Sequence, residues 1–179
     1  CKCGVAVLVD LDLRADQWHD LRAYGVTTRA FLRHCSLAIG TEEEILATML
    51  KDPGQITIRN QQISAPEIGG DPEAAIKALL ETGIEALVVK RGEKGSSVYL
   101  ASGEVIDIPG FPVEVVNVLG AGDAFASGLI YGYLAGWDWY KSCRLGNACG
   151  AILVTRHGCA NFNPTFEEVT SFIEEHGGY

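Results

Sequence analysis

The sequence predicts an α/β layered fold built on a mostly parallel sheet, and three observations predict it. Runs at Val5–Val9 and Ala86–Val89 are apolar and continuous rather than alternating, the pattern of buried strands, with Ser36–Ile39 a short strand between them. Between them lie longer stretches with helical spacing and helix-start signals. Strands separated by helices imply crossover connections, and crossovers make parallel neighbours. With 179 residues, 47% of them hydrophobic, the chain suffices for one globular domain that buries about 70% of the surface of its unfolded form. We expect no second full domain.

The first run ends in Asp10-Leu11-Asp12-Leu13-Arg14. Ligands of α/β sheets gather at the carboxyl ends of strands, so Asp10, Asp12 and Arg14 fall where a site can form. A solvated charged turn, with an Asp capping the next helix, explains the same residues. Thr27–His34 reads as a helix and Ser36–Ile39 as the second strand. Thr41-Glu42-Glu43-Glu44 is a capping box ahead of Ile45, Leu46, Met49 and Leu50 at helical spacing. Residues 53–70 are polar and broken by Pro and Gly, a connector with at most a short strand at Ile56–Arg59. Asp71-Pro72-Glu73 supplies a cap, a first-turn Pro and an acid to a helix that runs through Ala75, Ile76, Leu79 and Leu80 to Gly83. Ala86–Val89 is the third strand and leads into Lys90-Arg91-Gly92-Glu93-Lys94-Gly95. Ser97–Leu100 and Glu104–Ile108 alternate, so the glycine-bounded segment before them predicts a hairpin turn.

Val116–Leu119 reads as a β-like run that breaks at Gly120-Ala121-Gly122 into a helix beginning near Asp123 and ending at Gly136. Gly120 and Gly122 allow positive φ and close approach of a ligand to the backbone. The unpaired N–H groups of a helix start attract an anion, and the positive end of the helix dipole favours the charge of Asp123. A carboxylate beside an anion hole can take a proton from an attacking hydroxyl. Phosphoryl transfer needs little beyond such positioning and charge stabilisation. Standing alone, a Gly-x-Gly-Asp turn is weak evidence, because glycine before a helix is more often plain turn chemistry. Asp138 caps the next helix, Trp139–Thr155, where Gly146 and Gly150 admit a close neighbour or a flat ligand. Asn147 between them is either a satisfied core amide or a ligand contact. His157, in the loop Arg156-His157-Gly158-Cys159, has no nucleophile or orienting acid beside it in sequence and is read as a loop histidine. Pro164-Thr165-Phe166-Glu167-Glu168 opens the last helix with a second capping box; Phe166, Val169, Phe172 and Ile173 form its buried face and Gly177-Gly178 ends it.

Asn117-x-x-Gly120-Ala121-Gly122-Asp123-Ala124-Phe125-x-x-Gly128 closely resembles the C-terminal signature of the ribokinase-like, or PfkB, carbohydrate kinases. Gly146–Ala151 and Val154–Phe162 extend the likeness. With Gly136-Trp137-Asp138-Trp139-Tyr140, they look most like the branch that phosphorylates 5-dehydro-2-deoxygluconate in myo-inositol catabolism. The resemblance covers nearly the whole chain but only the later part of the family's fold. It implies a ribokinase-like three-layer fold lacking the N-terminal part and the small β lid, with residues 1–179 as the nucleotide-binding and catalytic part. The implied reaction is transfer of the ATP γ-phosphoryl group to a hydroxyl of 5-dehydro-2-deoxy-D-gluconate, with Mg2+. The alternatives are another acceptor of the family, such as 2-keto-3-deoxygluconate, fructose, ribose or a nucleoside, or a nucleotide-binding fragment that transfers nothing.

The resemblance also assigns roles. Asp123 is the base, with the amides of Gly120, Ala121 and Gly122 around the developing charge. Asp-x-Asp-x-Arg followed by Trp18 matches a post-strand motif whose Arg faces substrate or phosphate, so Asp12 and Arg14 are candidate substrate contacts; Asp12 stands where many relatives carry Asn. Thr41–Glu44 matches an Asn-x-x-Glu motif with Thr41 in place of the Asn, and its Glu44 holds Mg2+ largely through water, as suits a hard cation. Lys90, Gly92 and Gly95 belong to a loop that lies along the nucleotide, and Asn147 lies beside its base or sugar. Carbonyls of the Arg156–Gly158 loop serve a monovalent cation, K+ for instance, beside Asn117, which replaces an Asp of many relatives and removes one negative charge. No GxxxxGK[ST] loop occurs, so ATP binding cannot rest on a Walker fold.

A net charge of −9 argues against nucleic acid or an anionic membrane as partner. No apolar run reaches the ~20 residues of a membrane span and no signal peptide opens the chain, so the expectation is cytoplasmic. Cys1, Cys3, Cys35, Cys143, Cys149 and Cys159 show no paired CxxC spacing and are read as reduced, with Cys149 a buried thiol and Cys1-x-Cys3 a poor zinc pair. The chain opens at Cys1 and its single methionine is Met49, so translation is expected to begin upstream. Relatives dimerise through the lid, so a homodimer is an expectation for the full-length protein.

Overall fold

The computed structural model describes residues 4–52, 55–57 and 67–179. In chain order these form β1 (Leu8–Asp10), α1 (Leu21–Leu32), β2 (Leu37–Thr41), α2 (Glu42–Ala47), β3 (Ile56–Thr57) and β4 (Glu67–Ile68). Next come α3 (Pro72–Leu80), β5 (Ala86–Lys90), β6 (Ser96–Leu100), β7 (Val105–Ile108), α4 (Ala121–Leu134), α5 (Trp139–Val154) and α6 (Phe166–Glu175). The main sheet runs β1-β2-β5-β6-β7, and β3 pairs with β4 in a separate antiparallel ribbon. β1 lies parallel to β2 with Leu8 opposite Leu37, and β2 parallel to β5 with Leu37 opposite Ala86. Helices carry both crossovers, as parallel pairing requires. β5 and β6 are joined by Arg91–Gly95 alone, too short for a crossover, so the chain turns back there as a hairpin. The α/β class with its largely parallel sheet is therefore the one that the residues build.

By packing, the residues divide into two compact units: the chain up to Lys90 with Val98–Val105, and Arg91–Ser97 with Ile106–Tyr179. In the first, β2 and β5 are the buried strands, and Leu32, Ile45, Leu79 and Ile84 reach zero exposure between sheet and helices. Side-chain caps set the helix starts: Asp20 accepts from the Arg22 amide, Asp71 from those of Glu73 and Ala74, and Thr41 and Glu44 form the expected capping box. In the second unit α4 packs on α5 through small residues. A Cβ at Gly128 would lie 2.8 Å from the Gly146 Cα, and one at Gly132 2.8 Å from the Ser142 Cα. The close neighbour that Gly146 admits is thus the α4 backbone, with the Phe125 carbonyl 2.8 Å from where its Cβ would stand.

Several expectations are corrected. Val5–Val9 does not form a strand buried on both faces: β1 is shorter, half-buried, and at the sheet edge, where β2 is its neighbour on one side. α1 begins at Leu21 rather than Thr27. Gly25 disfavours a helix by propensity, yet the fold needs it, because a Cβ there would collide with the Thr48 carbonyl. Val116–Leu119 is not a strand. The amides of Val116 and Asn117 both donate to the Val154 carbonyl, 2.8 and 3.1 Å away, and this ties the run to the end of α5 instead of a sheet. In the connector, β3 covers only Ile56–Thr57 of the expected strand; Arg59 lies outside the described residues, and β4 had no sequence signal. Phe166 is 43% exposed rather than core, lying against Tyr131. Cys35, Cys143, Cys149 and Cys159 are free thiols, Cys149 only partly buried; Cys1 and Cys3 fall outside the described residues.

Candidate active site

Within the first unit, β1 ends in Asp10, β2 in Thr41 and β5 in Lys90. Parallel register sets Thr41 opposite Lys90 and Asp10 opposite Ile39, so the polar side chains gather at the carboxyl edge of the parallel strands. The Lys90 Nζ donates to both Asp10 oxygens, at 3.0 and 3.1 Å, and stands 3.9 Å from Glu44 Oε2. Glu44 Oε2 accepts from the Thr41 amide at 2.7 Å, and Oε1 accepts from the Leu13 amide at 3.2 Å. One carboxylate therefore closes the α2 capping box and holds the segment after β1. Burial pushes the Glu44 carboxyl above its ordinary range, against the charge of Lys90 and the two amides.

Asp12 and Arg14 form an ion pair at 2.8 Å, with both side chains about half exposed. Such an exposed pair contributes at most ~1 kcal/mol to stability. Asp12 has φ +33, the one non-glycine residue with positive φ among those described, in a region that Asp and Asn enter most readily. Trp18 packs edge-on against Tyr24, whose hydroxyl donates to the Leu11 carbonyl. This contact anchors the same post-strand segment.

Within the second unit, Gly120 caps α4 in the left-handed conformation, φ +83. A Cβ there would also stand 3.2 Å from the Cys159 Cβ, so both backbone and neighbour call for glycine. The Ala124 amide donates to the Gly120 carbonyl and the Ala121 amide to that of Val118, leaving the Gly122 and Asp123 amides without intrahelical acceptors. Asp123 is exposed in this first turn. Gly122 does not use the positive φ that glycine allows and has helical backbone inside α4. The Asn117 side chain accepts from the Leu119 amide at 3.0 Å and so shapes the entry to the turn.

The turn between β5 and β6 uses positive φ at Gly92 and Gly95 and closes by a bond from the Arg91 amide to the Gly95 carbonyl. It lies against Pro109 and Gly110 so closely that a Cβ at Gly95 would collide with the Ile108 carbonyl, and one at Gly110 with that of Glu93. Asn147 is buried, and its amide donates to the carbonyls of Pro109 at 3.1 Å and Ile108 at 3.4 Å. Its donor side thus fits the core-amide alternative. One turn earlier, Arg144 reaches the same strip from the buried face of α5. Its one signal in the sequence is a charged residue three positions before Asn147 in an apolar helix. Arg156 donates to the Phe162 carbonyl and pairs with Glu168, each at 2.8 Å, and Gly158 lies against the Phe162 ring with no room for a side chain.

Among the described residues no group of three or more His, Cys, Asp or Glu could hold a metal ion. A hard divalent cation would therefore rely on few carboxylates, water and a bound ligand's own oxygens, the usual habit of magnesium. A groove of about 620 Å³ lies between α3 and the β6–β7 hairpin, and none of the candidate site residues lines it. Among the described residues no helix is long and apolar enough to cross a membrane.

Comparison with known proteins adds four findings. The model of the pfkB family of carbohydrate kinases matches residues 2–166. The chain is 31% identical over 172 residues to the 5-dehydro-2-deoxygluconokinase of Clostridium beijerinckii, covering 96% of this chain and 47% of that protein. It is also 31% identical over 180 residues to the enzyme of that name from Clostridium tetani, covering 98% and 49%. The chain thus spans about half the length of the curated relatives it matches. Among solved structures, a ribokinase II from E. coli in complex with ATP and Mg2+ superposes with a TM-score of 0.78 at 28% identity, over 98% of this chain and 50% of that one.

Proposed function

The chain belongs to the pfkB family of carbohydrate kinases, and from that premise we propose that it transfers the γ-phosphoryl group of ATP to a hydroxyl of a sugar acid. The acceptor best supported by the relatives is 5-dehydro-2-deoxy-D-gluconate. Residues 1–179 would be the nucleotide-binding and catalytic part of the kinase domain, acting in the cytoplasm, where ATP is available.

The observation that carries the reading is the left-handed Gly120 cap, which leaves amides of the first turn of α4 open beside the exposed Asp123. Those amides suit a phosphoryl group at the positive end of a helix. Asp123 would take the proton of the acceptor hydroxyl as its oxygen bonds to phosphorus and the bond from phosphorus to the ADP oxygen breaks. The Gly120–Asp123 amides would hold the charge that develops. Arg14 and Asp12 would face substrate or phosphate, and Lys90, Gly92, Gly95 and Asn147 would hold or shape the nucleotide's place.

The donor set fits Mg·ATP. Glu44 has a backbone amide on each oxygen and Lys90 nearby, so its remaining lone pairs suit a water-mediated hold on magnesium, with Thr41 keeping the carboxylate in place. Bound there, the ion would neutralise charge on the phosphate oxygens. Main-chain carbonyls of the Arg156–Gly158 segment, with Asn117, are the proposed hold for a monovalent cation.

The test is magnesium-dependent ADP release by the chain and by Asp123→Asn, with 5-dehydro-2-deoxygluconate set against fructose, ribose and 2-keto-3-deoxygluconate. Selective turnover that falls by at least about a hundredfold in the variant, with ATP binding intact, is the expected result. A variant with wild-type turnover would sink the assignment of Asp123. The half-length match to the relatives favours a second reading, a nucleotide-binding fragment, which ATP binding without turnover would select.

A further inference from the structure

Arg144 is only 6% exposed, and among the described residues no carboxylate pairs with it. Burying a guanidinium is costly unless its N–H groups are satisfied. Here main-chain carbonyls satisfy them. Nη1 donates to Pro109 at 3.0 Å and Gly110 at 3.4 Å; Nε donates to Gly178 and Nη2 to His176, both at 3.2 Å. The guanidinium carbon Cζ lies 3.7 Å from the centre of the Phe111 ring. The planar guanidinium fork, with five N–H donors in fixed directions, serves two separate chain segments at once.

The two segments differ in what they touch. Pro109–Gly110 is the strip against which the Gly92–Gly95 turn lies, with no room for a side chain on either glycine of the contact. His176–Gly178 is the turn that ends α6, where the Gly178 amide donates to the Ile173 carbonyl. Beyond it Tyr179 packs edge-on against Trp137, and Lys141 covers both rings. Arg144 is thus the link between the end of the chain and the wall of the glycine turn, and Asn147 braces the same wall from α5.

We propose that Arg144 is a positioning residue that ties the C-terminal turn to the Pro109–Gly110 strip, so that the end of the chain holds the Gly92–Gly95 turn in its nucleotide-binding shape. The nucleotide part of this rests on the function proposed above. The mechanical part does not, because it concerns only the chain's own contacts.

The experiment compares the full chain with Arg144→Lys, Arg144→Met and a deletion of residues 177–179. Hydrogen exchange is followed at the Arg91–Gly95 amides, and Mg·ADP binding by calorimetry. Thr165→Ala, which loosens α6 at its cap without touching Arg144, controls for general destabilisation. The expected result is exchange at 91–95 faster by about tenfold or more in all three variants but not in the control, the scale of losing hydrogen bonds to a charged group. Lysine keeps the charge but cannot span both segments, so it should not rescue. Mg·ADP should bind about tenfold more weakly in the same variants. The deletion keeps the proposal testable if the Arg144 substitutions do not fold. Unchanged exchange at 91–95 in the deletion would overturn the coupling. Faster exchange with unchanged Mg·ADP affinity would uphold the mechanical link and overturn the nucleotide role of the turn.

Discussion

Glu44 illustrates how one side chain can satisfy a local rule and a longer-range one together. Its capping-box bond to the Thr41 amide is a matter of four adjacent residues, whereas its bond to the Leu13 amide spans the chain from β1 to α2. Lys90 acts similarly: the family resemblance offers it to a nucleotide, and its ammonium rests on Asp10 and near Glu44. An elementary case at the same scale is Asp20, where the Arg22 guanidinium and amide hold the carboxyl at about 2, below its ordinary 3.8. With a depressed folded-state value, the ionised carboxylate contributes stability that is present above about pH 4 and is lost as pH falls through about 2. Asp20→Asn keeps a cap oxygen but loses the ion pair. The variant should therefore be less stable than wild type at neutral pH, and the difference should close below pH 2 in acid-unfolding curves followed by circular dichroism.

Helices α4 and α5 show what an element can carry that its residues do not announce singly. Gly128, Gly132, Gly146 and Ser142 let the two backbones meet, so their contact is made by main chain as much as by side chains. This crossing bears on the candidate chemistry because α4 begins at Gly120–Asp123 and α5 carries Arg144 and Asn147. Gly128→Ala places a methyl group 2.8 Å from the Gly146 Cα and amide nitrogen, where only backbone can give way. The gain in helix propensity, about 1 kcal/mol, is smaller than the overpacking cost. We expect a net loss of about 1–2 kcal/mol in urea unfolding. Gly136→Ala is the contrasting case: no neighbour lies within 4 Å, but φ is +72, so any loss there is conformational rather than steric.

Across the whole molecule, the strand order sets where protection should concentrate. β2 has strands on both sides and β5 is flanked by β2 and β6, while β1 stands at the edge. Amides of Leu37–Gly40 and Ala86–Val89 should therefore exchange slowest by mass spectrometry, and those of Leu8–Asp10 measurably faster. Equal protection in all three would contradict the order. Much of this architecture was legible from residues alone. The capping boxes at Thr41 and Thr165, the Asp71-Pro72 start and the glycine hairpin at 92–95 are written within a few adjacent positions, because caps and tight turns depend on neighbouring backbone groups. The Gly120 cap before Asp123 was legible for the same reason. What misled was everything decided by distant partners. Apolar Val116–Leu119 reads as a β-like run, yet the Val116 and Asn117 amides go to Val154; Val5–Val9 reads as buried on both faces, yet β1 is a half-buried edge; the first helix reads from Thr27, yet it begins at Leu21. The sequence by itself determined the α/β class, the capped starts of α2, α3, α5 and α6, and the glycine turns, since those follow from local hydrogen-bond needs. Only the tertiary structure decided which strand takes the edge, that Lys90 holds carboxylates, and that Arg144 serves carbonyls from two ends of its unit, because burial and pairing across the chain leave no mark on neighbouring residues.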